Sequence, residues 1–245
     1  MKTVLTVLAL SVLTACGGGG GGGGSSGGFP IMLPPVVAAP PVQPAPQEPA
    51  PKPPVNEKEC TIVVYGDSIM RGQQINATTY ATDPDHSPVV LMNRALPKMK
   101  FRDMSVPGRS LKDFMGVAYN EQRTEKYVVI EHGVIDSWYG LPIEQNYRDL
   151  ITVLRAEGRT PIITGFSHQV PGFGVSYTSL MNRVMWNAKV KEIAAELKVP
   201  FADLDTVEFN GADDVPDTVH PGVTYSKRLV DRIVNKIGEV APHCR

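Results

Sequence analysis

Cysteine is scarce in this chain, with only three among its 245 residues. No sign of charge dominates either, because 24 basic and 25 acidic side chains give a formal net charge of −1. Without a basic run, the composition argues against a nucleic-acid-binding protein. His86, His132 and His243 lack cysteine or acidic partners at metal-ligand spacing, and no phosphate-cradling glycine motif occurs. We therefore predict no metal, no cofactor and no nucleic-acid partner.

The apolar stretch at the N-terminus is too short to cross a membrane. It covers residues 4–13 and follows the single charge of Lys2, whereas a spanning helix needs about 20 residues. This pattern is typical of a signal peptide, which we place at residues 1–15.

The signal sequence ends in Leu13-Thr14-Ala15-Cys16, which resembles the lipobox of bacterial lipoproteins. In that motif the cysteine is lipidated and becomes the new N-terminus, so we predict that Cys16 anchors the protein in the bacterial cell envelope. An ordinary cleavage site beside a chance cysteine is the alternative. Gly17 is not the aspartate associated with retention in the inner membrane, which favours the outer membrane.

Residues 16–56 are predicted to be a tether. Eight consecutive glycines occupy residues 17–24, and eleven of the chain's 22 prolines lie between residues 29 and 55. Glycine tracts form flexible coils, whereas proline-rich segments are extended at ~3.1 Å per residue, so the proline part alone can reach on the order of 80 Å. Such a segment holds a domain away from a membrane.

Residues 57–245 are long enough for one domain with a sizeable core, which we expect to be a monomer. Cys60 and Cys244 bracket this domain. Disulfides persist in exported proteins, and the first strand would start at the edge of the sheet where the last helix ends. We predict a disulfide between them, with two unpaired thiols as the alternative.

Apolar runs alternate with helical periodicity along this domain, which predicts a parallel sheet covered by helices on both faces. Ligands bind such sheets beyond the carboxyl ends of the strands. The predicted strands are residues 61–65, 101–106, 127–132, 161–165 and 201–204, and the predicted helices are residues 142–157, 177–197 and 223–240.

Three motifs fall at that edge. Gly66-Asp67-Ser68 follows the first strand, Gly108 follows the second, and Asp217-x-x-His220 lies near the C-terminus. Together they resemble the SGNH (GDSL) hydrolases. The resemblance implies a three-layer, flavodoxin-like α/β domain with about five parallel strands, and hydrolysis of acyl esters or thioesters without a metal.

Carried over to this chain, the resemblance makes Ser68 the nucleophile, His220 its base and Asp217 the group that orients the imidazole. The alternatives are helix caps at Ser68 and Asp217, an ordinary loop histidine at His220 and a plain turn glycine at Gly108. The family's oxyanion hole implies backbone donors at Ser68 and Gly108 and an asparagine side chain from a third block.

The third block departs from the family at one position. Gly133-Val134-Ile135-Asp136 has isoleucine where the family has asparagine, and isoleucine cannot donate a hydrogen bond. Three hypotheses follow. The hole works with two backbone donors, or His168, Ser137 or Asn120 supplies the donor, or the domain has lost much of its catalysis.

Four residues are candidates for the substrate pocket: Arg71, Ile135, Trp138 and His168. For Arg71 the alternative is solvation, and for Trp138 simple packing.

We hypothesise a membrane-anchored serine esterase acting on a carbohydrate, lipid or small ester of the cell envelope, or a closely related acyltransferase. The alternative from another class is a non-catalytic module that binds a glycan or a partner through a degenerate site.

Overall fold

The computed structural model describes residues 59–73, 85–172 and 174–245. The predicted signal peptide, the lipid attachment at Cys16 and the tether lie outside these residues. Within the described ranges, no helix is both long and apolar enough to cross a membrane.

Five parallel strands in the described part of the chain form one sheet with the order β2-β1-β3-β4-β5. This order is that of flavodoxin-like domains and confirms the predicted fold class. The strands are β1 (Thr61–Gly66), β2 (Lys100–Asp103), β3 (Tyr127–Glu131), β4 (Thr160–Thr164) and β5 (Phe201–Ala202).

Helices cover both faces of the sheet. Successive residues of a strand point to opposite faces, so Ile62 and Val64 of β1 belong to one core and Val63 and Tyr65 to the other. Helices α2 and α7 pack in the first core, whereas α3, α5 and α6 pack in the second. The helices are α1 (Ser68–Arg71), α2 (Pro88–Ala95), α3 (Leu111–Ala118), α4 (Val134–Tyr139), α5 (Glu144–Ala156), α6 (Tyr177–Glu196) and α7 (Val223–Val240).

The two edge strands are shorter than predicted. The strand expected at residues 101–106 is β2, which ends at Asp103, although Met104 and Val106 still donate backbone hydrogen bonds to β1. The strand expected at residues 201–204 is β5, which has only two residues before a 3₁₀ turn begins. An edge strand has a single neighbour, so little pairing holds its end in the regular ladder.

The amino edge of the sheet carries a disulfide between Cys60 and Cys244, whose Cα atoms lie 5.5 Å apart. Cys60 immediately precedes β1, and Cys244 follows α7, which runs antiparallel to the strands. The cross-link therefore joins the beginning of the described domain to its end.

In the N-terminal half of helix α6, the usual arrangement of apolar residues facing inward and polar residues facing outward is reversed. Its inward positions there are polar, including Arg183, which donates to the carbonyls of Phe166 and Ser167 and pairs with Asp205. Its outward positions are apolar and exposed. These outward residues, which we call the α6 stripe, are Tyr177, Met181, Val184 and Met185.

Candidate active site

Ser68 lies at the carboxyl end of β1, where the chain turns into the single turn of α1. The cap of this helix is Asp67, whose carboxylate accepts a 2.8 Å hydrogen bond from the backbone N–H of Ile69. Ser68 is therefore not the capping residue, and its hydroxyl remains for another partner. The turn ends at once because Gly72 adopts a left-handed conformation with φ of 73°.

His220 is the partner of that hydroxyl. Its Nε2 lies 2.8 Å from the Oγ of Ser68, although 152 residues separate the two in the chain. Both residues are at least nine-tenths buried. The distance suits transfer of the serine proton to the imidazole.

Asp217 fixes the ring of His220 from the other side. Its Oδ2 lies 2.6 Å from the Nδ1 of His220, and its Oδ1 accepts the backbone N–H groups of His220 and Val219 at 2.7 and 3.0 Å. A carboxylate held at both oxygens keeps the proton on Nδ1 and leaves Nε2 to act as the base. The structure thus brings together all three residues named from the sequence.

The turn between Asp217 and His220 contains a strained residue. Thr218 has φ of 76°, a conformation that is an outlier for a β-branched side chain. Its N–H donates to the carbonyl of Val215 at 2.8 Å, and its own carbonyl accepts from Val170 at 3.1 Å. These bonds hold the turn in the geometry that directs the carboxylate to the imidazole and the imidazole to Ser68, as expected where strain is kept at a functional site.

Gly108 lies in the loop between β2 and α3, beside the turn that carries Ser68. The N–H of Val106 donates to the carbonyl of Gly66 at 2.9 Å, which attaches this loop to the end of β1. Gly108 has φ of 73°, and a Cβ there would meet no described atom within 4 Å. Glycine is therefore required here by the left-handed backbone conformation and not by close neighbours. The residue faces open space.

Asp136 connects the third block to the second, a role that the sequence alone did not reveal. Its buried Oδ2 accepts the N–H of Leu111 at 2.8 Å, at the start of α3. Burial raises the pKa of the Asp136 carboxyl, while the backbone donors of Leu111 and Lys112 lower it. The only signal in the sequence was the position of this aspartate in the family's third block.

Ile135 lies in α4 and is 8% exposed. None of the three side chains considered as replacement donors is directed to this position, because each is engaged elsewhere. His168 Nε2 lies 2.8 Å from the carbonyl of Asp205, Ser137 donates to Val134 at 2.6 Å, and Asn120 donates to Gly116 at 2.9 Å. Of the oxyanion donors inferred from the sequence, the backbone N–H groups of Ser68 and Gly108 therefore remain.

A pocket of about 460 Å³ adjoins the Asp217–His220 turn. Trp138 forms one side, and its indole N–H donates to Gln169 at 3.1 Å. Gly172 forms another side and packs so closely on Thr218 that a Cβ would collide with it. The lining residues are Trp138, Tyr139, Gly172, Gly174, Val175, Ser176 and Ser179.

Three of the four candidate pocket residues, Arg71, Ile135 and His168, are not among these lining residues. Arg71, the last residue of α1, is a surface residue that is 45% exposed and forms a 2.8 Å ion pair with Asp103 at the end of β2. The ring of His168 stacks on Phe209 with centroids 4.8 Å apart. Gly172 and residues 174–176, which do line the pocket, were not predicted because nothing local in the sequence indicates the contact of Gly172 with the distant Thr218.

Comparison with known proteins agrees with this geometry. The family model described as GDSL-like lipase/acylhydrolase matches residues 64–225, whereas comparison with curated proteins gives no match.

Several solved structures share the fold. A psychrotrophic esterase, EstA from Pseudoalteromonas sp., is 17% identical with a TM-score of 0.59, covering 75% of this chain and 99% of its own. TesA is 21% identical with a TM-score of 0.58, covering 74% and 99%. A carbohydrate acetylesterase family member from Sinorhizobium meliloti is 14% identical with a TM-score of 0.60, covering 74% and 99%.

Proposed function

Since the chain belongs to the GDSL-like lipase/acylhydrolase family, we propose that it is a lipid-anchored esterase of the bacterial cell envelope that works through an acyl-enzyme on Ser68. The single observation that carries this proposal is the chain of hydrogen bonds from Ser68 Oγ through His220 to Asp217, with distances of 2.8 and 2.6 Å. A helix cap or a loop histidine requires no such alignment.

In the first half of the reaction, Ser68 Oγ attacks the ester carbonyl carbon while His220 Nε2 takes its proton. The tetrahedral intermediate collapses, the ester C–O bond breaks, and the alcohol leaves with the proton from His220. In the second half, His220 activates a water molecule that attacks the acyl-enzyme. The acid is released, and the proton returns to Ser68. Asp217 stabilises the imidazolium ion that forms in both halves.

The negative charge on the carbonyl oxygen requires donors in place before the reaction. We assign this role to the backbone N–H groups of Ser68 and Gly108, which belong to rigid turns attached to the sheet. Losing one donor typically costs about 10²–10³ in kcat. Because Ile135 occupies the asparagine position, we expect a lower kcat than a site with all three oxyanion donors would give.

We propose that the pocket beside the Asp217–His220 turn receives an apolar part of the substrate. Trp138 and Tyr139 supply aromatic surface there, and the exposed α6 stripe starts at Tyr177, next to the lining residue Ser176. Apolar surface that continues from a pocket onto an exposed helix suits an acyl chain longer than acetyl, because burial of each additional CH₂ contributes about 0.8 kcal/mol.

A panel of nitrophenyl esters tests both the activity and this preference. We expect turnover of the wild-type protein with kcat/KM rising from acetyl to medium-chain esters, and covalent labelling by a fluorophosphonate. Trp138→Ala should flatten the chain-length preference, whereas Tyr119→Ala, which removes an exposed tyrosine at the end of α3, should not. Absence of both turnover and labelling in folded protein contradicts the esterase and favours a binding module.

The departure at Ile135 is the specific observation that favours such a binding module, and the same catalytic residues also suit an acyltransferase. In a transferase the acyl group passes to a sugar hydroxyl instead of water. Adding a sugar acceptor to the ester assay separates the two, since a transferase forms acylated sugar at the expense of free acid. For a hydrolase, we expect free acid to dominate at every acceptor concentration.

The anchor is supported by Leu13-Thr14-Ala15-Cys16 and by the glycine- and proline-rich segment that follows. Cys16→Ser should abolish labelling with a radioactive fatty acid and shift the protein out of the membrane fraction. Unchanged fractionation and labelling exclude Cys16 as the anchor.

A further inference from the structure

Two fully buried carboxyl groups, those of Asp67 and Glu131, lie side by side beneath the turn that carries Ser68. Both residues are 0% exposed. The backbone N–H of Asp67 donates to Glu131 Oε2 at 3.4 Å, which places the Glu131 carboxyl against the residue that carries the other carboxyl. Counted as carboxylates, each has one oxygen with no partner among the described residues.

The surroundings of this pair offer no positive charge among the described residues. From α4, Asp136 adds a third carboxyl. From α5, the phenol of Tyr147 donates to the carbonyl of His132 at 2.6 Å, and burial lowers the pKa of His132 to about 3, so its ring is neutral. On the side of α7, Glu131 faces Ser226, Leu229, Val230 and Ile233.

Two adjacent carboxylates without a counter-ion are strongly disfavoured in a buried site, and a proton on one of them removes the conflict. Asp67 is the better carboxylate, since it accepts the N–H of Ile69 at 2.8 Å, whereas the N–H of Asp67 reaches Glu131 only at 3.4 Å. We propose that Glu131 is a neutral acid that donates its proton to the carboxylate of Asp67, and that this shared proton positions the turn carrying Ser68.

The raised pKa values support this assignment. Burial, with the neighbouring Asp67 carboxyl as the second cause, raises the pKa of Glu131 well above its ordinary value. Burial also raises the pKa of Asp67 to about 7. The directions of both shifts agree with a shared proton on Glu131.

Glu131 acts on the nucleophile through contacts with the turn. It meets the N–H of Asp67, whose carboxylate in turn holds the N–H of Ile69, so the residues on both sides of Ser68 are fixed. A Cβ on Gly66 would lie 2.9 Å from Glu131 Oε2, so glycine is needed for this close approach. Glu131 is thus a positioning residue for the proposed reaction, and this role rests on Ser68 being the nucleophile.

Glu131→Gln is the informative variant, because the amide can donate to Asp67 as the neutral acid does but has no proton to lose. The unfolded state ionises glutamate above its ordinary pKa, while the folded state keeps the proton. The stability due to the neutral acid is therefore complete below that pKa and decreases as the pH rises. Relative to Glu131→Gln, the folding equilibrium constant of the wild type should fall by up to tenfold per pH unit between about pH 5 and 8.

Denaturant unfolding of the full chain at several pH values measures this difference, and infrared spectroscopy tests the proton directly. We expect a carbonyl band of a buried neutral carboxyl at pH 8 in the wild type that is missing in Glu131→Gln. A stability difference independent of pH, or the same infrared spectrum for both proteins, overturns the shared proton.

Positioning is tested by the rate of fluorophosphonate labelling of Ser68. Glu131→Gln should label within about threefold of the wild type, whereas Glu131→Met, which fills the space without hydrogen bonds, should label at least tenfold more slowly. Equal loss in both variants, or no loss in either, contradicts the positioning role. If the wild type itself is neither labelled nor active, the proposed function fails, and the unfolding and infrared results still decide the protonation of the pair.

Discussion

The two edges of the sheet differ in what holds them together. At the carboxyl edge, buried polar side chains are bound to one another and to backbone N–H groups, and Thr218 adopts a strained conformation. At the amino edge, a disulfide joins Cys60 to Cys244. A six-residue strand such as β1 is about 20 Å long, so the two sets of interactions do not touch.

This difference indicates that catalysis and stability are largely separate in this domain. At the carboxyl edge, a strained backbone and buried polar groups lower the stability of the fold, but they hold a hydroxyl and an imidazole in fixed contact. The amino edge restricts the unfolded chain by closing a loop of 184 residues. Changes to the Ser68–His220–Asp217 contacts should therefore affect mainly the rate, and changes to the disulfide mainly the unfolding free energy.

The largest effect is expected for Ser68→Ala. Removing the nucleophile should lower kcat by a factor on the order of 10⁴–10⁶ and abolish fluorophosphonate labelling, with little change in Tm. Ester hydrolysis and thermal unfolding measured on the same preparation test this. Thr152→Ala, which removes an exposed hydroxyl on α5, is the control. Residual activity near the wild-type level excludes Ser68 as the nucleophile.

Asp217→Asn should be nearly as damaging. The amide keeps the shape of the carboxylate but no longer favours the proton on Nδ1 of His220, and a change of this kind costs about 10⁴ in kcat. Steady-state kinetics provide the test. Asp213→Asn, at an exposed carboxylate shortly before the turn, should leave the rate unchanged. Similar rates for both variants contradict the assigned role of Asp217.

The Cys60→Ser/Cys244→Ser variant should have the opposite effect. Opening a loop of 184 residues should lower the unfolding free energy by about 5 kcal/mol in the chain-entropy model, equivalent to about 10–20 °C in Tm. Below its unfolding transition the variant should keep the wild-type kcat, and reduction of the wild type should reproduce the loss in Tm. A large fall in kcat in the folded variant refutes the separation of the two edges.

Ile135→Asn should have the smallest effect. If the missing side-chain donor limits the rate, the asparagine should raise kcat by up to about 10² with little change in KM. Ile135→Val, which remains without a donor, should match the wild type. An unchanged or lower kcat for Ile135→Asn shows instead that two backbone donors suffice or that another group already stabilises the oxyanion.

The sequence predicted those elements whose signal is local or strongly periodic. The long helices α5, α6 and α7 lie within a few residues of their predicted bounds, because each is at least three turns long and buries an apolar stripe. Helices α1 to α4 have four to eight residues, too few for such a pattern, and were not predicted.

The pocket and the supporting carboxyl groups were not predictable in the same way. Asp136, Glu131 and Gly172 act through contacts with residues far away in the chain, and nothing beside them in the sequence reports those partners. Arg71 and His168 are the converse case. They follow strands at the correct edge, but their side chains bind Asp103 and the carbonyl of Asp205.

The sequence by itself determined the five strands, the three long helices and the identities of Ser68, Asp217 and His220, since hydrophobic periodicity and short motifs depend on neighbouring residues. Only the tertiary structure decided that Nε2 of His220 lies 2.8 Å from the Oγ of Ser68 and that two carboxyl groups share the space beneath that serine. Such distances are set by the packing of the sheet, which brings separate loops to one edge. The local conformational preferences of the residues do not determine them.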